Sequence, residues 1–69
     1  MTVYGVYLNR FNEITLYNSW DKARNALWEE YGETYYEEDS VEQRHGAAMQ
    51  LAREGSIDEV GDIRTILVH

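Results

Sequence analysis

The sequence predicts one α+β domain over residues 1–69, in which an antiparallel three-stranded sheet carries two helices on one face in the order ββααβ. Three observations predict it. Both ends of the chain are rich in β-branched and aromatic residues, the middle holds amphipathic segments with helix-capping signals, and the length of 69 residues suits one domain. A chain of this size buries only about 60% of its unfolded surface, so we expect a small core.

The first seventeen residues predict a β-hairpin. Thr2–Leu8 carries β-branched and aromatic residues on both faces, which fits a strand covered at least partly on each side. After the polar link at 9–12, Glu13–Tyr17 alternates polar and apolar residues. This alternation predicts a second strand with one solvated face.

The first helix is predicted to begin at Trp20, after a cap supplied by Asn18 or Ser19. Gly32 is well placed to end it in the left-handed conformation. The apolar residues of this helix fall on one predicted core stripe, made by Trp20, Ala23, Leu27 and Tyr31, with Trp28 on its flank.

The second helix is predicted to start at Ser40, where Ser40-x-x-Gln43 and Asp39-x-x-Glu42 both offer capping boxes, and to end at Gly55. Gly46 lies inside it, which we explain by close packing on the sheet, with a second subunit as the alternative. The predicted buried stripe comprises Val41, His45, Ala48 and Ala52, widened by Leu51 and Met49.

The remaining segments predict a final strand over 62–68, with one helical turn at 56–59 before it. A short extra strand near 34–36 is a further expectation. The sequence leaves open whether the last strand pairs parallel or antiparallel.

Composition excludes several classes of function. A net charge of −7 disfavours direct binding to nucleic acid, which depends on Lys and Arg, and it repels anionic membranes. The absence of cysteine removes disulfides, thiolate metal sites and thiol nucleophiles, and it favours a reducing cytoplasm. The N-terminus lacks the features of a signal peptide, and no apolar run approaches about 20 residues. A basic partner is the natural inference.

Residues 29–42 hold seven carboxylates and three tyrosines without any Lys or Arg. Charge runs are usually solvated faces, but Glu29 and Glu30 lie in a last helical turn, where the helix dipole disfavours carboxylates. Helix capping explains Glu38, Asp39 and Glu42. The predicted partner-binding residues are Glu29, Glu30, Glu33, Tyr35, Tyr36, Glu37, Glu38, Asp39 and Glu42, with a secondary acidic patch of Asp58, Glu59 and Asp62.

Signals for catalysis or for a cofactor are absent from the sequence. The acids of segment 29–42 lack the alternating spacing and the turn glycine of an EF-hand, so no dedicated metal site is expected. His45 lies on the predicted apolar stripe, where a histidine is more often a hydrogen-bonded core residue than a base. We therefore predict no enzymatic activity, no catalytic residue and no cofactor.

In size, acidity and lack of cysteine, and in its run of acids at 29–42, the chain resembles small acidic phage-encoded inhibitors of host nucleases or CRISPR complexes, several of which are DNA mimics. The resemblance implies an anti-CRISPR or anti-restriction protein that acts in the host bacterial cytoplasm. It also implies a basic partner, either a protein or a protein–RNA complex of host defence. We expect a monomer or a weak homodimer.

A second resemblance covers the segments Tyr4-Gly5-Val6-Tyr7 and Leu16-Tyr17-Asn18-Ser19-Trp20-Asp21, with the later Ala47-Ala48. These segments look like the small hairpin-and-helix domain of some ribonucleases H and viroplasmins, which binds RNA:DNA hybrids through basic residues. Because this chain carries acids from residue 29 onward, the resemblance implies the hairpin-helix layout and not hybrid binding. A small structural or assembly module, whose acidity serves solubility, is the remaining alternative.

Overall fold

The sheet of the protein is antiparallel and has four strands, whereas the sequence predicted three. A computed structural model describes all residues, Met1–His69. The elements are β1 (Thr2–Leu8), β2 (Glu13–Tyr17), α1 (Trp20–Thr34), α2 (Val41–Glu54), β3 (Ser56–Ile57) and β4 (Gly61–Leu67). The strand order is β2-β1-β4-β3, and every pair is antiparallel. The α+β class is confirmed, and the last strand pairs antiparallel with the first.

The fourth strand is β3, and it lies where the sequence predicted a helical turn. Ser56 and Ile57 pair with the start of β4, and the N–H of Val60 donates to the carbonyl of Ile57 at 3.0 Å to close the turn. Burial of the Ile57 and Val60 side chains favours this conformation over an exposed helical turn. The extra strand expected near 34–36 is wrong, because these residues end α1 and begin a turn.

Three of the predicted caps are confirmed. The Ser19 hydroxyl accepts from the N–H of Lys22, and Ser40 and Gln43 form the reciprocal capping box. Gly55 ends α2 with a φ of 68°, which a glycine adopts without steric cost.

The predicted end of α1 at Gly32 is wrong, since the helix continues to Thr34. Its last turn is held by the N–H of Tyr35, which donates to the carbonyl of Tyr31 at 2.8 Å. The rings of these two tyrosines also stack, with centroids 6.2 Å apart. Tertiary packing of the tyrosines therefore outweighs the local stop signal of the glycine.

One hydrophobic cluster lies between the helices and the sheet. Most of the α1 stripe is buried as predicted, but Trp20 is 37% exposed and contacts the Tyr4 ring edge to face at 6.0 Å. The buried members of the cluster come from both helices, from β1, from β3 and from the β3–β4 turn: Val6, Ala23, Leu27, Tyr31, Ala47, Leu51, Ile57 and Val60.

The predicted buried stripe of α2 is largely wrong. Within α2 only Ala47 and Leu51 are buried, whereas the other predicted members are exposed, namely Val41, His45, Ala48, Met49 and Ala52. The reason is the position of α2, which contacts α1 and the two-residue β3 but neither β1 nor β2. A helix at the margin of the sheet buries only a narrow side.

Neither α1 nor α2 combines the length and the apolar composition that a membrane-spanning helix needs.

Gly46 does not pack closely on the sheet, contrary to the prediction. A methyl group at this position would have no neighbour within 4 Å outside the helix itself, and the residue is exposed. We therefore expect Gly46→Ala to raise the free energy of unfolding by about 0.5–1 kcal/mol, because it lowers the backbone entropy of the unfolded chain. Urea unfolding followed by circular dichroism measures the change. A Cβ atom at Gly32 would also have no neighbour within 4 Å, so Gly32→Ala should raise the free energy of unfolding in the same way. A Gly46→Ala protein that is less stable than the parent would contradict the prediction.

Candidate functional site: the acidic segment

The acidic segment 29–42 spans the end of α1, the connection to α2 and the first turn of α2. Five of its glutamates are exposed, and none of the five takes part in an ion pair. They are Glu29, Glu33, Glu37, Glu38 and Glu42. The structure thus leaves most of the predicted acidic residues free to meet a partner.

Three of these glutamates converge. Glu33, Glu37 and Glu38 line one groove of about 340 Å³ together with Gly32 and Thr34, and no apolar side chain contributes to it. Glu29 precedes Glu33 by four residues of α1, so it lies on the same side of the helix, about 6 Å closer to the N-terminus. We call Glu29, Glu33, Glu37 and Glu38 the acidic face.

Glu30 does not belong to the acidic face, because it is held by contacts within the protein. One of its carboxylate oxygens lies 3.5 Å from the Arg10 guanidinium and accepts a hydrogen bond from the Thr34 hydroxyl at 3.1 Å. Its side chain is only 11% exposed. Glu30, predicted to bind a partner, therefore has a structural role, since it is held by Arg10 of the hairpin twenty residues earlier.

Asp39 is likewise engaged inside the fold. The buried Tyr31 hydroxyl donates to an Asp39 carboxylate oxygen at 2.6 Å. Burial, and then the hydrogen bond to Asp39, raises the pKa of Tyr31 to about 12. The placement of Tyr31 in the core is confirmed, and Asp39 serves as its hydrogen-bond acceptor.

The two predicted aromatic anchors have different environments. Tyr35 is half-buried against the core and stacks on Tyr31. Tyr36 is 42% exposed, with the Arg44 guanidinium 3.8 Å from its ring centroid, and the Arg44 Nε donates to the Tyr36 carbonyl at 2.6 Å. Of the two tyrosines, only Tyr36 is therefore exposed, and it directly precedes Glu37 in the chain. Its pairing with Arg44 across the interhelical connection had no signal in the sequence.

The secondary acidic patch is divided by the sheet. Asp58 and Glu59 line a groove of about 360 Å³ that also includes Asp39, and Asp58 exchanges two hydrogen bonds with the Gln50 amide. Asp62 instead forms an ion pair of 3.0 Å with Arg64. The three acids therefore do not act as one surface.

Comparison with known proteins found no family model, no curated protein and no solved structure that matches this chain. The structure also contains no group of three or more His, Asp or Glu side chains that could hold a metal ion.

Proposed function

We propose that the protein is a non-enzymatic inhibitor that binds a basic, nucleic-acid-handling protein through its acidic face. The observation that carries the proposal is the set of exposed carboxylates at 29, 33, 37 and 38, which have no basic side chain paired with them. The exposed Tyr36 ring, next to Glu37 in the chain, supplies an aromatic contact of the kind enriched in protein interfaces.

The arrangement carries a local electrostatic cost. Glu29 and Glu33 are like charges one turn apart, and Glu33 lies in the last turn of α1, at the negative end of the helix dipole. The last turn of α1 contains no basic residue to offset them. A basic surface that approached this site would remove the repulsion, and its attraction would also speed the encounter.

Duplex DNA offers a basic protein a dense series of negative charges, about one for every 1.7 Å of axis. Carboxylates that project from a helix end and from the adjoining connection present a short series of the same sign. Occupation of a DNA-binding channel by this surface would exclude DNA. The resemblance to phage-encoded inhibitors suggests host defence nucleases or CRISPR complexes in the bacterial cytoplasm as the targets.

Neutralisation of the acidic groove tests the proposal. The triple variant Glu33→Gln, Glu37→Gln, Glu38→Gln should fold normally, because all three side chains are exposed. It should lose at least about tenfold in affinity for the partner, as removal of several charge-assisted contacts implies. Immobilised protein would capture partners from bacterial lysate, elution along a salt gradient would release them, and mass spectrometry would identify them.

A matched control changes the net charge equally at other positions. Glu13→Gln, Asp21→Asn and Glu54→Gln replace three exposed acids outside segment 29–42, and this variant should retain capture. Added duplex DNA should displace the captured protein from the parent chain. Equal capture by both triple variants, or partners that duplex DNA does not displace, would refute the proposed mode of binding.

A further inference from the structure

The side of the sheet that faces away from the helices bears an exposed apolar surface. Val6 points into the core, so its neighbour Gly5 faces the other side, where Ile14, Leu16 and Ile66 surround the position that a Cβ atom would occupy. The strand pairing aligns Val3 beside Ile66 on this side. We call Val3, Ile14, Leu16 and Ile66 the open sheet face.

No other part of the chain covers this surface. Ile14 is 46% and Leu16 59% exposed, and both lie on the edge strand β2 beside Gly5 of β1. The side chains of Ile14, Leu16 and Ile66 pack over the backbone of Gly5. A Cβ atom at Gly5 would lie only 3.0 Å from Ile14 and 3.1 Å from Ile66. These side chains therefore already form a packed layer with one side in solvent. Contiguous apolar surface of this kind marks an interaction site.

We propose that the open sheet face binds a second copy of this chain and forms a symmetric dimer of face-to-face sheets. The charge distribution selects this occupant. The ionic groups on this side of the sheet are Arg64 and Asp62, which lie opposite Gly5 and Tyr7 in the strand register. They pair with each other at 3.0 Å, and the Arg64 guanidinium lies over the Tyr7 ring. The surface is thus locally neutral, although the chain carries −7 overall.

Two copies of an acidic protein can approach each other most easily through a surface that is locally neutral. Basic proteins are attracted to the acidic face on the helical side, whereas the carboxylate of the open sheet face, Asp62, is already neutralised by Arg64, so two such faces meet without net repulsion. The helices of each copy would then point outward, because α1 contacts the opposite side of the sheet from Gly5. The two acidic faces would be held apart and remain free.

The size of the surface sets the strength of the dimer. Three strands spaced about 4.8 Å apart and roughly 20 Å long make a face of about 300 Å² in projection, and two such faces pack about 10 Å apart. This area lies below that of standard stable interfaces, so the dimer is weak and depends on concentration. A symmetric contact uses each residue twice, which doubles the effect of any substitution.

Sedimentation equilibrium of the full chain over a range of concentrations tests the proposal. We expect reversible dimerisation that strengthens as NaCl rises from about 0.05 to 0.5 M, because salt screens the repulsion between two acidic subunits. Leu16→Glu should weaken association about a hundredfold, since each dimer would bury two carboxylates against apolar side chains. Val41→Glu, which adds the same charge at an exposed apolar residue of α2, should leave it unchanged.

Circular dichroism would show whether Leu16→Glu keeps its fold, and Leu16→Thr provides a milder variant with the same readout. Shift changes on dilution, followed by NMR, should map to the open sheet face. A chain that stays monomeric at high salt and millimolar concentration, or a dimer broken by Val41→Glu and not by Leu16→Glu, would overturn the proposal. Partner capture by the acidic face weakens with salt and does not require Leu16, so the two proposals fail separately.

Discussion

Replacing Leu27 by alanine should leave the chain largely unfolded at 25 °C. Leu27 is fully buried at the centre of the cluster, and truncation of a core leucine costs about 2–5 kcal/mol. A core in a domain of this size rarely supplies more than about 3–5 kcal/mol in total. The loss of one side chain therefore equals most of the expected stability. Urea unfolding monitored by circular dichroism measures the change in the free energy of unfolding.

Leu67→Ala is the matched control for this substitution. Leu67 is 62% exposed near the end of β4, so the same chemical change should alter the free energy of unfolding by no more than about 0.5 kcal/mol. Similar losses at the two positions would mean that stability does not reside in the cluster around Leu27.

Gly61→Ala should be almost as damaging, although it adds only one methyl group. The new Cβ would overlap the carbonyl oxygen of Tyr7 on β1 and would meet a Leu27 methyl at 3.3 Å. Because the first obstacle is backbone, relief requires β1 and β4 to separate where Leu8 pairs with Gly61. We expect a loss of about 3 kcal/mol, at the upper end of overpacking costs. For a domain of this size that lowers Tm by more than about 10 °C in a thermal melt.

Comparison with Gly46→Ala distinguishes the steric effect of the added methyl group from the effect of exchanging glycine for alanine as such. Both variants exchange glycine for alanine, but only position 61 has a neighbour that the methyl group would strike. Opposite signs of the two stability changes are therefore expected. A Gly61→Ala protein as stable as the parent would show that the β1–β4 pairing is looser than the structure has it.

The features that the sequence predicted well depend on residues close together in the chain. The caps at Ser19, Ser40 and Gly55 act over three or four positions, so the hydroxyl groups of the serines and the backbone freedom of the glycine sufficed to place them. The burial of α2 depends on where the helix packs, and no local pattern encodes that position. The strand Ser56–Ile57 forms for a similar reason, because it needs the start of β4 as its partner.

The candidate site shows the same division. The lack of basic residues one turn from Glu29 and Glu33 is visible in the sequence, and it predicted their unpaired state. The role of Glu30 depends on Arg10, and that of Tyr36 on Arg44. Both contacts arise from tertiary structure, and so a linear count of charges overstated the number of acids available to a partner.

The brevity of β3 has a consequence for the behaviour of the protein at high concentration. Its two residues pair only with Asp62 and Gly61, so the outer edge of β4 carries no strand beyond them, and β2 leaves a second edge unpaired at the other side of the sheet. Unpaired edges are templates for strand addition and fibrillar growth. Mutual repulsion between chains of charge −7 opposes such growth. Salt, which screens the repulsion between chains, would weaken that protection.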